Sequence, residues 1–217
     1  MFENYYYPDD YYYREPEANS YVRILHASPN APAVDVYANG NPIARNVTYR
    51  EFTPYLAVQP GSYRVTVFPA GQTQNPVIDT NVNIPERSII TAAAIGTLPN
   101  IGLLAVPDTP GTVPQGKVRV RFVHLSPNTP NVDITLPNGT RLFRNVAYRG
   151  ITGYTTIDPG VYTLQARPTG TENVALNVPN IRFKPNRFYT VYAVGLSGGR
   201  PPLQVLIPLD GNSYLKV

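Results

Sequence analysis

The chain has 217 residues, 42% of them hydrophobic and 15% charged, with a net charge of +4. That hydrophobic share is globular, and the 15 Arg and 3 Lys are spread singly, which argues against a nucleic-acid partner. Without cysteine there is no disulfide, thiolate nucleophile or thiolate metal site; no apolar run approaches the roughly 20 residues of a transmembrane segment.

Residues 1–20 are a low-complexity, Tyr-rich flexible tail. Tyr5, Tyr6 and Tyr7 and then Tyr11, Tyr12 and Tyr13 flank Pro8-Asp9-Asp10. Tyrosine couples a rigid apolar ring to a polar tip, so this stretch reads as an assembly arm. It could add to a sheet edge of another subunit, while its prolines and acids keep it from pairing with itself. The start, Met1-Phe2-Glu3-Asn4-Tyr5, is no recognisable signal peptide.

Val22-Arg23-Ile24-Leu25-His26-Ala27-Ser28-Pro29-Asn30-Ala31-Pro32-Ala33-Val34-Asp35-Val36-Tyr37 then sets a scheme that recurs as Val120-Arg121-Phe122-Val123-His124-Leu125-Ser126-Pro127-Asn128-Thr129-Pro130-Asn131-Val132-Asp133-Ile134. A recurrence of this kind is one folding unit used twice. In the first copy strands are predicted at 21–27, 33–38, 41–46, 52–58, 62–68, 77–84, 88–96 and 101–106. Asn39-Gly40 and Pro60-Gly61 supply reversals, matched by Asn138-Gly139 and Pro159-Gly160. Ile89-Ile90-Thr91-Ala92-Ala93-Ala94-Ile95 is too short for a buried helix and reads as a central strand.

Short strands with regular turn signals and no helical periodicity give an all-β chain: two tandem antiparallel immunoglobulin-like β-sandwich modules, with a closed barrel as the alternative. The divisions expected are 21–108 for the first module and 109–116 for a Pro/Gly linker. Residues 117–210 form the second module and 211–217 a C-terminal tail. Tyr63 and Tyr162, each following Pro-Gly-x, are expected as tyrosine corners.

The run His26-Ala27-Ser28-Pro29-Asn30-Ala31-Pro32-Ala33-Val34-Asp35-Val36-Tyr37, with Asn39-Gly40, Pro60-Gly61-Ser62-Tyr63 and Phe68-Pro69-Ala70-Gly71, resembles the bacterial family catalogued as domain of unknown function 4397. The resemblance covers both copies and leaves out the tyrosine tail. The second copy departs from it at Leu125, Asn131 and Ile134 and has no aromatic at the place of Tyr37. It implies tandem β-sandwich modules of extracytoplasmic or cell-envelope proteins and transfers no active site.

His26 with Asp35 and His124 with Asp133 are the His–carboxylate candidates, and Ser28 or Ser126 would be the nucleophile of a hydrolase. Each serine precedes a proline and lacks nucleophile-elbow glycines, so a turn-capping hydroxyl is the expected role. One His and one Asp per copy fall short of a zinc ligand set, and no EF-hand spacing occurs. The expectation is therefore no catalytic residue, metal or cofactor. Instead, His26, Asp35 and Arg50, with His124, Asp133 and Arg149, are expected to form a structural network, in which each Arg pairs with its Asp or stacks on the preceding Tyr.

The functional expectation is a non-enzymatic structural or assembly protein of a bacterial spore or cell surface, such as a spore coat or exosporium. Its Tyr-rich arm would contact other subunits or surface-layer proteins, a homo-oligomer included. The alternative is an adhesion or ligand-binding module that recognises carbohydrate or protein through loops 28–32 and 126–130.

Overall fold

The computed structural model describes residues 19–217. The expected Tyr-rich arm, through residue 18, lies outside the described residues. The first half contains β1 (Ser20–His26), β2 (Val34–Ala38), β3 (Asn41–Val47), β4 (Leu56–Val58), β5 (Gly61–Pro69), β6 (Ile78–Ile84), β7 (Ile89–Thr97) and β8 (Asn100–Pro107). The second contains β9 (Val118–His124), β10 (Val132–Thr135), β11 (Arg141–Val146), β12 (Thr155–Ile157), β13 (Gly160–Pro168), β14 (Leu176–Phe183), β15 (Arg187–Val194) and β16 (Gln204–Leu206). Each half is a two-sheet sandwich. The outer sheets run β3-β2-β5-β6 and β11-β10-β13-β14, and the inner sheets run β4-β1-β7-β8 and β12-β9-β15-β16.

One pairing in each half departs from a wholly antiparallel plan. β1 lies parallel to β7, Tyr21 opposite Ile89 through His26 opposite Ala94, and β9 lies parallel to β15 in the equivalent register. The strand expected at 52–58 shrinks to β4. The Ile24 amide is taken by the Thr53 hydroxyl at 2.9 Å, and Phe122 by Thr152 likewise. A side chain thus stands where a neighbouring strand's carbonyl would stand, and only isolated bridges from Phe52 and Ile151 continue the pairing.

The two inner sheets also pack on each other. Alternation along each central strand explains how, because successive side chains point to opposite faces. On β7, Ala94 joins the core of the first half while Ala93 and Ile95 join a cluster with Val123, Leu125, Tyr192 and Val194 of the second. On β15, Val191 and Ala193 face their own core while Tyr192 and Val194 face the first half. Leu25 and Tyr192 at this junction are fully buried. The almost unbroken apolar runs of β7 and β15 are those of strands covered on both faces.

The end of the chain is not a free tail. A 3-10 turn, Gly211–Ser213, seats buried Gly211 against Ile89 and Tyr55 of the first half, and the Asn212 amide donates to the Thr109 carbonyl at 2.8 Å. Trimming either side of the junction removes buried methyl groups and leaves a void. We therefore expect Leu25→Ala and Leu125→Ala each to lower unfolding free energy by about 2–5 kcal/mol in urea titrations. A loss below about 1 kcal/mol for both would mean that the junction is not close-packed.

Candidate functional site

The repeated motif builds a polar cluster at one end of each sandwich. His26, fully buried at the end of β1, reaches the Pro32 carbonyl through Nε2 at 2.9 Å, and its Nδ1 accepts from the Ser28 amide at 3.3 Å. One imidazole thereby ties down both ends of the Ser-Pro-Asn-x-Pro loop. His124 does the same with the Pro130 carbonyl at 3.2 Å and the Ser126 amide at 3.3 Å. The Tyr49 and Tyr148 rings meet these imidazoles edge-on.

The serine hydroxyls point away from the imidazoles. Ser28 donates to the Gly96 carbonyl at 2.8 Å and Ser126 to the Gly195 carbonyl at 2.6 Å. Those glycines have φ of 92° and 89°, and a Cβ at either would collide with a backbone carbonyl, of Asn100 or Pro202. Glycine is needed there on both counts. Asn30 and Asn128 close the same loops by accepting from the Leu98 and Ser197 amides, both at 2.9 Å.

Asp35 and Asp133 lie in networks separate from the histidines. Asp35 accepts from the Asn46 amide at 2.7 Å and the Gly71 amide at 3.0 Å. These bonds hold the β2–β3 bulge, where Asn46 takes a left-handed φ of 51°. The Asn46 amide and then that of Gly71 keep its carboxyl below the usual carboxylate range. Asp133 accepts from the Asn145 amide at 2.8 Å, from Arg141 at 3.0 Å and from the Thr169 hydroxyl at 3.2 Å. Burial acts to raise its carboxyl, but these donors outweigh it and the group stays low.

The expected pairings of Arg50 with Asp35 and Arg149 with Asp133 are not made. Both arginines occupy tight turns at φ of 74° and 68°, unusual for a residue other than Gly or Asn, and each donates its backbone N–H to the histidine carbonyl at 2.7 Å. The Arg50 guanidinium lies 5.9 Å from the Tyr49 ring centroid and bonds Gln204 of the other half at 2.9 Å. Tyr63 donates to the Gln59 carbonyl at 2.7 Å and Tyr162 to that of Asp158 at 2.8 Å, each four residues upstream.

The most heavily buried charges belong to residues the sequence reading did not single out. Arg121 is 1% exposed; it bonds the Thr190 hydroxyl at 2.7 Å, then crosses to the Pro107 carbonyl and the Asp108 carboxylate of the first half, both at 2.6 Å. Arg23 mirrors it. It bonds the Thr91 hydroxyl at 2.9 Å and the Leu209 carbonyl at 3.0 Å, and lies 3.6 Å from Asp210. The guanidinium groups lie over Tyr55 and Tyr154, each with its carbon 4.7 Å from the centroid. Tyr154 and Thr190 donate to Asp210, both at 2.7 Å, and the Gly211 amide to Asp108 at 2.9 Å. Burial first, and the charge of Asp210 second, raise the Asp108 carboxyl to about 6. The signal for this cluster was present: Arg23/Arg121 and Asp108/Asp210 are opposite charges at equivalent places in both copies.

Chemically, the arrangement spends its polar groups on its own backbone and on the junction. Ser28, His26 and Asp35 do not assemble into a nucleophile–base–orienter relay, since the hydroxyl, imidazole and carboxylate each bond a different partner. Among the described residues no cluster of three or more His, Cys, Asp or Glu could hold a metal, and no helix is long and apolar enough to cross a membrane.

A family described as "Domain of unknown function (DUF4397)" matches residues 20–135 and again 135–213. The chain belongs to this family. No curated protein matches it. Among solved structures it is similar to the Bacillus anthracis TIE protein at 12% identity and TM-score 0.26, over 83% of this chain and 34% of that one. The chain thus spans about a third of that protein. It is similar to a family-26 carbohydrate-binding module from Eubacterium rectale Amy13K, in complex with maltoheptaose, at 9% identity and TM-score 0.27, over 88% and 96% of the two chains. An alpha-glucan-binding streptococcal virulence factor follows at 13% and 0.27, over 91% and 100%. Scores this low carry no argument about function.

Two measurements probe the site. Burial lowers both imidazoles below the ordinary 6.5, so they stay neutral in the folded chain where the unfolded chain is already protonated. Their contribution to stability is complete above 6.5 and is lost as pH falls through the lowered value. NMR titration of the two histidines should give midpoints below 6.5; midpoints at or above it would show that the imidazoles are not enclosed. Separately, Arg121→Met should cost about 3–5 kcal/mol by leaving Asp108 buried without its cation. Adding Asp108→Asn should recover part of that loss, and no recovery would place the cost elsewhere.

Proposed function

We propose that the protein is a non-enzymatic structural component of a bacterial surface layer, with the spore coat or exosporium as the first place to look. The observation that carries this reading is the junction. Reciprocal Arg–Asp contacts and a shared apolar cluster join two sandwiches into one four-sheet block, suited to bear load or act as a spacer. The conspicuous polar residues of the repeat hold loops and turns, as expected of a building element. Attachment would fall to the Tyr-rich segment 1–20, whose six tyrosines in two runs offer rigid adhesive rings.

Recognition of carbohydrate or protein through loops 28–32 and 126–130 has less in its favour, because Ser28 and Ser126 are buried on backbone carbonyls and the exposed Asn30 and Asn128 already engage backbone amides through their side-chain oxygens. Expressed in a spore-forming host, the chain lacking residues 1–18, a deletion that spares the buried Ser20 at the start of β1, should fold with an unchanged melting temperature yet fail to be retained in the surface layer. Retention equal to that of the full chain would refute the attachment role.

A further inference from the structure

The two sandwiches share a plan but not a filling. In the second half Phe122, Phe183, Tyr189 and Val191 lie in one continuous buried core. The strand registers fix their counterparts in the first half. Gly61 opposite Ile84 matches Gly160 opposite Phe183; Val22 opposite Ile90 matches Val120 opposite Tyr189; Ile24 opposite Ala92 matches Phe122 opposite Val191. At four equivalent places, then, two phenylalanines, a tyrosine and a valine give way to Ile24, Ile84, Ile90 and Ala92. The sheets of the first half do not close up to compensate. Between them lies a cavity of about 130 Å³ walled by these residues.

The wall decides what could enter. Of the side chains around it only Tyr63 and His26 carry polar atoms, and both are engaged, Tyr63 on the Gln59 carbonyl and His26 on the Pro32 carbonyl. A carboxylate, ammonium or sugar hydroxyl would find no free partner and would suffer the full desolvation penalty. Water gains little for the same reason, since a buried water needs two to four polar partners. An apolar cavity of comparable size, about 150 Å³, stays dry and takes up benzene or xenon. Ala105, on the edge strand β8, lines the cavity and is exposed, which marks an entrance at that edge.

We propose that the first sandwich holds a small uncharged hydrocarbon ligand between its sheets, of monocyclic or short-chain size, and that the second sandwich does not. This goes beyond the surface-layer role and stands independently of it. The probe is benzene, added to the full chain and followed by methyl NMR and by melting temperature. Saturable shifts should appear at Ile24, Ile84, Ile90 and Ala92 and not in the core of the second half. The melting temperature should rise with benzene concentration, as it does for a ligand that binds only the folded state.

Ala92→Val, which installs the residue of the second copy, should weaken binding at least about tenfold, a change that amounts to about 1.4 kcal/mol. Ile24→Phe should abolish it. Should Ile24→Phe fold poorly through overpacking, the complementary Phe122→Ile with Val191→Ala in the second half should open a second saturable site. Absence of saturable shifts in the wild-type chain, equal shifts in both halves, or undiminished binding by Ala92→Val would each overturn the proposal.

Discussion

The exchange of Arg and Asp across the junction is the constraint on which the rest of the molecule depends. Two guanidinium groups sit in the middle of apolar strands, where an unpaired charge could not persist. They are tolerable only because the opposite half presents a carboxylate and a backbone carbonyl to each, and its own half presents a threonine hydroxyl. A separated half would leave its arginine facing water without the carboxylate that matches it. The pairs thus specify which surface meets which, while the cluster around Leu25, Ile95, Val123 and Tyr192 supplies the apolar burial. Such pairs add little net stability over apolar substitutes and are better understood as fixing register.

The same logic runs outward to the loops. The His that ends β1 or β9 anchors a proline-rich loop, the Ser in that loop anchors the glycine ending β7 or β15, and the turn at Arg50 or Arg149 hangs from the histidine carbonyl. The histidine closes its own loop six residues on, whereas the serine and arginine contacts join segments of the sandwich end that are distant in sequence. The loops are therefore tied to the strands and to one another at several points.

Much of this was legible in the chain. The repeat, the strand positions and the turns at Asn39-Gly40 and Pro60-Gly61 follow from local periodicity and turn chemistry, and the structure has strands where they were expected save that the one at 52–58 is cut to Leu56–Val58. The parallel pairing of β1 with β7 was not legible, because an apolar run does not reveal the direction of its neighbour. The function of His26 and Asp35 could be narrowed only to loop support. Their partners are backbone amides and carbonyls, which every residue carries and no motif advertises. The repetition of Asp108 and Asp210 was visible, but not their burial: both stand beside Pro- and Gly-rich segments that look like linker and tail, and they are enclosed only once the halves are docked. The unequal cores follow from Ile24, Ile84 and Ile90 against Phe122, Phe183 and Tyr189, a contrast visible in the sequence but without meaning until register placed each pair opposite the same gap.

The central claim is that the two sandwiches form a single cooperative body through this junction. Native-state hydrogen exchange on β7 and β15 tests it most directly, since amides that open only by global unfolding share one free energy. The amides of Ala93, Ile95, Tyr192 and Val194 should all exchange at that common value and move together with added urea. A lower value for one half, with the other still protected, would mean that the halves open independently and that the junction does not hold them as one.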